Sequence, residues 1–263
     1  MAFKSVIAVA SGKGGVGKST TAVNLAVSLH KLGAKVGLLD ADVYGPNVPM
    51  MLGVKEERAN VTPQQELIPF EGHGIKIMSI AFLVEPGKAV IWRGPMMHNL
   101  IRQFLTKVTW GDLDYLVVDL PPGTGDAPLS LVQSVPLTGA VVVTTPQQVA
   151  LSDVRRSIAM FQEVKVPVLG LVENMSGFYC EELGKVVPMF KGEGGKVLSQ
   201  EYNLPLIAQI PFDPAVGEGG DQGTPISISK PESIQGKAFL KAAQHVQDRV
   251  KTLSAEAPKI EVG

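Results

Sequence analysis

Nine consecutive residues near the start of the chain have the types and spacing of a phosphate-binding loop. The segment Gly12–Thr20 has the sequence GKGGVGKST, which contains the complete pattern G-x-x-x-x-G-K-[ST]. A short apolar run, Val6–Ala10, precedes it, and helical spacing follows from Thr20 to Leu32. A strand, the loop and a helix N-terminus are therefore predicted to converge on bound phosphate.

The pattern gives each loop position a role in binding a nucleoside triphosphate with Mg²⁺. Lys18 is expected to bridge the β- and γ-phosphates, Ser19 to bind Mg²⁺, and Thr20 to contact the α-phosphate. A second lysine in the loop, Lys13, is not required by the pattern; a functional role at the nucleotide is the favoured interpretation, and a solvated residue on a surface loop is the alternative. The predicted ATP-binding residues of the loop are Gly12, Lys13, Gly14, Gly15, Val16, Gly17, Lys18, Ser19 and Thr20.

Two further strand ends carry carboxylates that could complete this site. Asp40 and Asp42 are two residues apart in an extended segment, so both side chains can face the phosphates; alternatively they cap the next turn. Asp119 ends a buried apolar run and is expected to hold Mg²⁺ through water. The turn after it contains Gly123, whose N–H could sense the γ-phosphate, and Asp126, which is expected to cap the next helix.

Asn174 ends another buried strand, where its amide can both donate and accept hydrogen bonds, as adenine recognition requires. A simple turn residue is the alternative at this position.

Apolar segments and helical segments alternate along the chain, which predicts an α/β fold with a doubly wound, mainly parallel sheet and helices on both faces. One domain is expected over residues 1–263, with a surface excursion over Lys55–Glu71 and a flexible tail over 255–263. The predicted strands are Val6–Ala10, Lys35–Asp40, Ile75–Ile80, Tyr115–Asp119, Ala140–Thr144, Val168–Glu173 and Leu206–Ile210. The predicted helices are Thr20–Leu32, Met96–Val108, Ala127–Val135, Ser152–Val164, Gly194–Tyr202 and Gln235–Leu253.

Composition narrows the possible partners. The 263 residues are 45% hydrophobic with a net charge of −1, so nothing in the overall charge favours nucleic acid or an acidic membrane. The single cysteine suits the cytoplasm. Phe239, Val246 and Val250 belong to an apolar stripe on the last predicted helix, which is expected to pack on the sheet and not to anchor in a membrane.

Eight segments together resemble the Mrp/ApbC branch of the deviant P-loop ATPases, the iron–sulfur cluster carriers. The first also carries a lysine at the second position of the loop, in the pattern K-G-G-x-G-K-[ST] over Lys13–Ser19, and so resembles the deviant Walker A signature of the wider class that includes MinD, ParA and the nitrogenase iron protein. The segments are Gly12–Thr20, Asp40–Pro49 (DADVYGPNVP), Trp92–Met96 (WRGPM), Asp119–Asp126 (DLPPGTGD), Thr145–Leu151 (TPQQVAL), Glu173–Ser176 (ENMS), Ile210–Pro214 (IPFDP) and Glu218–Pro225 (EGGDQGTP).

This resemblance implies a homodimeric ATPase that uses ATP and Mg²⁺, with slow, dimer-dependent hydrolysis. In that class the residue matching Lys13 crosses the dimer interface to the partner's nucleotide. Asp40 would lie in the water shell of Mg²⁺, and Asp42 would position or deprotonate the attacking water. Pro211 and Asp213 would hold adenine together with Asn174.

The resemblance is incomplete at the expected cluster ligands. Family members follow Asn-Met-Ser with Cys-x-x-Cys, and two such pairs hold a [4Fe–4S] or related cluster across the dimer. Here Cys180 matches the first ligand, but Leu183 stands in place of the second. Glu181, Glu182 or a partner could complete the ligand shell; alternatively the cluster function is lost.

The leading hypothesis is an ATP-dependent iron–sulfur carrier or assembly factor that acts on apo iron–sulfur proteins or scaffold proteins. The alternative is a ParA/MinD-type positioning or partner-binding switch without a cluster. A reductase like the nitrogenase iron protein would need cysteines near the Asp119 strand, and residues 83–139 contain none.

Overall fold

The inner strands of the sheet are continuous apolar runs. Helices cover both faces of such a sheet, so the side chains that point to either face of an inner strand are buried. The computed structural model describes residues 3–55, 58–83, 94–180 and 182–256. Its strands are β1 (Phe3–Ser11), β2 (Val36–Asp40), β3 (Phe70–Gly72), β4 (Ile75–Ser79), β5 (Leu113–Asp119), β6 (Gly139–Thr144), β7 (Val168–Cys180), β8 (Lys185–Val187) and β9 (Leu206–Phe212).

The sheet has the order β3-β4-β2-β5-β1-β6-β7-β8, and β9 also pairs with β7. The pairs β3–β4 and β7–β8 are antiparallel, and the other described pairs are parallel. The predicted mainly parallel α/β fold is therefore confirmed.

The helices are α1 (Lys18–Lys31), α2 (Val48–Met51), α3 (Gly94–Lys107), α4 (Asp126–Ser134), α5 (Gln148–Glu163), α6 (Gly194–Tyr202), α7 (Pro214–Asp221), α8 (Ile226–Ser229) and α9 (Ile234–Glu256), with a 3₁₀ turn at Ile80–Leu83. All seven predicted strands and six predicted helices are present; α6 has the predicted bounds and the others have shifted ends. The missed elements, β3, β8, α2, α7 and α8, are all eight residues or shorter, too short for periodicity to identify.

The last helix packs as the apolar stripe predicts. Phe239, Val246 and Val250 are buried, and α9 lies against α1 and β9. Among the described residues, no helix combines the length and apolar character needed to cross a bilayer. Of the predicted tail, Ala255 and Glu256 still belong to α9, and residues 257–263 lie outside the described residues.

The strand register brings the predicted site residues to one edge of the sheet. Asp40 at the end of β2 is paired with Asp119 at the end of β5 and with Ser79 at the end of β4. β1 lies between β5 and β6, so its end delivers the Gly12 loop to the same edge. Ligands of open α/β sheets bind at this carboxyl edge.

Candidate nucleotide-binding site

The glycine-rich loop borders a cavity of about 390 Å³ at the carboxyl edge of the sheet. Gly15 and Gly17 have φ of 79° and 84°, the left-handed region that glycine adopts without strain. The lining combines most of the predicted loop with residues after β2 and β5: Ser11, Lys13, Gly14, Gly15, Gly17, Lys18, Ser19, Thr20, Asp42, Tyr44, Gly45, Asn47, Met51 and Pro122.

Two loop glycines are enclosed by neighbouring elements. A Cβ on Gly12 would overlap the backbone of Asp153 in α5, and a Cβ on Gly17 would overlap the amide of Asn174 in β7. The loop is therefore held in shape by contacts from α5 and β7 as well as by its own sequence.

Lys18 is the centre of a buried charge cluster. Its Nζ lies 2.7 Å from Asp119 Oδ1 and 3.2 Å from Asp42 Oδ2, and its side chain is only 6% exposed. Burial by itself lowers the pKa of Lys18, but attraction to Asp119 and Asp42 outweighs it, so the pKa lies above its ordinary value. The ammonium is charged and is held at the phosphate cavity, as its predicted role requires.

The two carboxylates after β2 differ in their surroundings. Asp42 lines the phosphate cavity, and its Oδ1 accepts the N–H of Tyr44 at 3.2 Å. Asp40 is fully buried, and its oxygens accept the hydroxyl of Ser79 and the N–H groups of Asp42 and Val48. Burial and then repulsion from Asp119 raise the pKa of Asp40 to about 8.

The oxygen atoms at and around Asp119 are suitable ligands for a magnesium ion. Asp119 is fully buried, burial raises its pKa, and its Oδ2 accepts no hydrogen bond from the described residues. Mg²⁺ prefers oxygen ligands and retains several of its waters. The hydroxyl of Ser19 lies 3.3 Å from Lys18 Nζ, beside Asp119. Ser19, Asp119 and, through water, Asp40 are therefore suitable for the role that the sequence predicts, which stays a prediction.

Lys13 and Gly123 make contrasting contacts. The side chain of Lys13 is half-buried at the cavity wall, and its ammonium has no ion-pair partner within the described part of the chain. The N–H of Gly123 is donated to the carbonyl of Ser11 at 2.9 Å, so a contact with a γ-phosphate would require this bond to break. Asp126 is not the N-cap that was predicted: Gly125 takes that position, and Asp126 lies in the first turn of α4.

The residues expected to hold adenine lie in β7 and at the end of β9; Asn174 does not end its strand as predicted, because β7 continues past an irregularity to Cys180. Asn174 donates from Nδ2 to the carbonyl of Val16 at 2.9 Å, and Asp213 caps α7 through the N–H of Ala215 at 2.8 Å. The carbonyl of Pro211 accepts a hydrogen bond from Gln235. Their role in adenine binding stays a prediction.

Cys180 lies at the end of β7, directly before the turn into β8. The thiol is half-buried and borders a cavity of about 810 Å³ that Asp213 also lines. Leu183 in the turn is 60% exposed; Glu181, a proposed alternative ligand, lies outside the described residues. The described residues contain no group of three or more His, Cys, Asp or Glu side chains placed to hold a metal. One described chain therefore offers Cys180 alone, with Glu182 near it on the cavity wall.

Sequence reasoning missed three residues that shape the site. Ser11 donates its hydroxyl to the carbonyl of Lys13, Ser79 bonds Asp40, and Asp153 packs on Gly12. The two serines end strands that neighbour the site, so their position at strand ends was a usable signal. The contact of Asp153 depends on how α5 docks, which no local pattern reveals.

Comparison with known proteins assigns this architecture to a family. Residues 2–247 match the family model described as ParA, NUBPL iron-transfer P-loop NTPase. The chain is 53% identical over 251 residues to an iron–sulfur cluster carrier protein of Synechocystis, covering 94% of this chain and 71% of the relative.

Solved structures agree with this assignment. A nucleotide-binding protein from Archaeoglobus fulgidus in complex with ADP superposes with a TM-score of 0.78 at 40% identity, covering 90% of this chain and 92% of that one. MinD of Pyrococcus horikoshii with Mg-ADP gives 0.70 at 26% identity, covering 97% and 99%. The chain belongs to the ParA/NUBPL family of iron-transfer P-loop NTPases.

Proposed function

We propose that this protein is a dimeric ATPase that carries iron–sulfur clusters to recipient apo proteins or scaffold proteins. The observation that supports ATP hydrolysis most directly is the position of Lys18, held between Asp42 and Asp119 at the mouth of the phosphate loop. Similarity to iron–sulfur cluster carrier proteins supports the iron–sulfur cluster as the transported group. This cluster is a transported substrate and not a resident cofactor.

In the proposed reaction the phosphate loop binds the triphosphate and Asp42 aligns a water molecule with the γ-phosphorus. The water oxygen attacks that phosphorus, the bond to the β–γ bridging oxygen breaks, and Asp42 accepts a proton from the water. Lys18 stabilises the charge that develops on the phosphate oxygens. When bound by Ser19, Asp119 and the water shell near Asp40, Mg²⁺ would neutralise charge on the β- and γ-phosphates.

Asp42→Ala is expected to slow hydrolysis by about 100-fold or more, because general-base and water-positioning groups typically contribute 10²- to 10⁴-fold. ATP affinity should change little, since Asp42 does not lie in the backbone cradle of the phosphates. Single-turnover hydrolysis and calorimetry on the same protein would separate the two effects. Hydrolysis at the parental rate would remove Asp42 from the proposed mechanism.

The proposed cluster site lies between two protomers, since one described chain supplies a single cysteine. Clusters of this kind are held by thiolates, usually four. In the proposed dimer the half-buried Cys180 at the end of β7 would meet its symmetry mate, and these two thiolates would leave a labile, incomplete shell for a recipient protein to complete. Weak retention is compatible with a carrier.

Cluster reconstitution with iron and sulfide under anaerobic conditions tests this assignment. The parent is expected to develop visible absorption that Cys180→Ser loses. Leu183→Cys restores the Cys-x-x-Cys spacing at an exposed position, so it should fold as the parent does and hold more cluster per dimer. Thermal unfolding of all three proteins is the control for folding.

Two outcomes would contradict the cargo proposal. Parent and Leu183→Cys could both remain colourless, which would favour an ATP-dependent switch without a cluster. Cys180→Ser could equally retain the full absorption, which would place the ligands elsewhere. Neither outcome affects ATP hydrolysis, which the Asp42 variant tests separately.

A further inference from the structure

The side chain of Asn174 lies directly beneath the phosphate loop. Its Nδ2 donates to the carbonyl of Val16 at 2.9 Å, in a buried hydrogen bond between segments 158 residues apart. The same nitrogen occupies the space that a Cβ on Gly17 would need. Asn174 thus contacts the backbone of two successive loop residues, immediately before Lys18.

The backbone around Asn174 is shaped to present this side chain. Asn174 is the last residue of β7 in regular register with β9, and pairing resumes only at Phe178 after an irregularity. Met175, the next residue, has φ of 53°, a left-handed conformation that is unfavourable for a residue other than glycine. An ordinary turn residue would not need both the irregularity and the strained neighbour.

The contact also fixes which part of the nucleotide Asn174 can influence. The carbonyl of Val16 is held from below, while Gly17 turns through φ of 84° to direct the following N–H groups into α1. Backbone N–H groups at this place are the ones that bind phosphate oxygens in such loops. A substitution of Asn174 should therefore alter how the loop binds the phosphates, whichever base the nucleotide carries.

We propose that Asn174 is a positioning residue that holds the phosphate loop in its binding shape through Val16 and Gly17. This role rests on the proposed nucleotide binding and differs from the adenine contact that the sequence predicts. The two roles predict different effects of a substitution on the selectivity for the base. A loop-positioning residue affects every triphosphate by the same factor, whereas an adenine contact affects ATP selectively.

Titrations of the whole protein with the magnesium complexes of ATP, GTP and inorganic tripolyphosphate distinguish the roles. Asn174→Ala is expected to weaken all three by a similar factor, about three- to tenfold, the effect of one hydrogen bond. The ratio of ATP to GTP affinity should stay at the parental value. Asn99→Ala, at an exposed position of α3, is the matched control and should change nothing.

Selective weakening of ATP, with GTP and tripolyphosphate at parental affinity, would overturn the proposal and return Asn174 to base recognition. Parental affinity for all three ligands would also overturn it. If the parent binds tripolyphosphate too weakly to measure, the ATP to GTP ratio decides alone. If Asn174→Ala does not fold, Asn174→Ser is tested by the same criteria. A parent that fails to bind Mg-ATP would contradict the proposed function as well.

Discussion

Lys13→Ala is expected to reduce ATP hydrolysis by about 10³-fold or more, because a cation supplied in trans to the transferring phosphoryl group contributes roughly 10³ to 10⁵ in rate. ATP affinity of the isolated protomer should change far less, since Lys18 and the backbone cradle are intact. The ammonium of Lys13 has no ion-pair partner among the described residues, so removing it leaves no buried charge uncompensated. Steady-state hydrolysis and calorimetry measure the two quantities.

A mixing experiment decides whether Lys13 acts on its own nucleotide or on that of a partner. Lys13→Ala and Asp42→Ala are each expected to be nearly inactive alone. If Lys13 acts in trans, a mixed dimer has one complete site, in which Asp42 comes from one protomer and Lys13 from the other. Random pairing of equal amounts should then restore about a quarter of the parental rate.

A role of Lys13 in cis predicts a different result for the mixture. If Lys13 acts in cis, no protomer in the mixture has both residues, and hydrolysis stays at the level of the separate variants. Parental activity of Lys13→Ala would show that the second lysine of the loop is only a solvated surface residue. Lys241→Ala, at an exposed position of α9, is the matched control for loss of a lysine.

The sequence predicted the parts of this site that depend on short segments. The phosphate loop is recognisable because glycine spacing, the lysine and the hydroxyl are set by phosphate chemistry within nine residues. Asp119 was recognisable because a carboxylate after a buried apolar strand is conspicuous. The register of β2 and β5 then places Asp40 beside Asp119, as convergence of parallel strands at one edge predicts.

Contacts between distant segments could not be predicted in the same way. Asp40 and Asp42 were expected to face the phosphates together, yet Asp42 lines the cavity while Asp40 is tied to Ser79 and Val48. Alternation along an extended segment fails here because the strand ends at Asp40 and the chain turns. The bond from Asn174 to Val16 likewise depends on a strand irregularity that hydrophobic periodicity cannot locate.

Lys18→Ala is expected to abolish measurable hydrolysis and to weaken Mg-ATP binding by about 100-fold or more, because charge-assisted hydrogen bonds to two phosphates are lost. It should also destabilise the fold. Removing one partner of a buried ion pair costs about 3–5 kcal/mol in the free energy of unfolding, and Asp119 Oδ1 loses its ammonium partner at 2.7 Å. Calorimetry and urea unfolding measure the two losses.

The pH dependence of this destabilisation has a definite sign. Burial already raises the pKa of Asp119, and attraction to Lys18 opposes that rise, so Lys18→Ala should raise the pKa of Asp119 further. When a carboxyl group has a higher pKa in the folded state than in the unfolded state, the free energy of unfolding falls as the pH rises above the pKa of the unfolded state. The deficit of Lys18→Ala relative to the parent should therefore be larger at pH 8 than at pH 5.

A second substitution separates the electrostatic cost from the loss of phosphate binding. Adding Asp119→Asn to Lys18→Ala removes the fully buried one of the two carboxylates that lose their ammonium partner, so stability should return part of the way to the parental value and its extra loss at pH 8 should become smaller. Hydrolysis should remain undetectable, because the phosphates still lack Lys18. Equal stability of Lys18→Ala and the parent at both pH values would show that the buried ion pairs contribute nothing to folding, and the 2.7 Å contact would then matter for nucleotide chemistry alone.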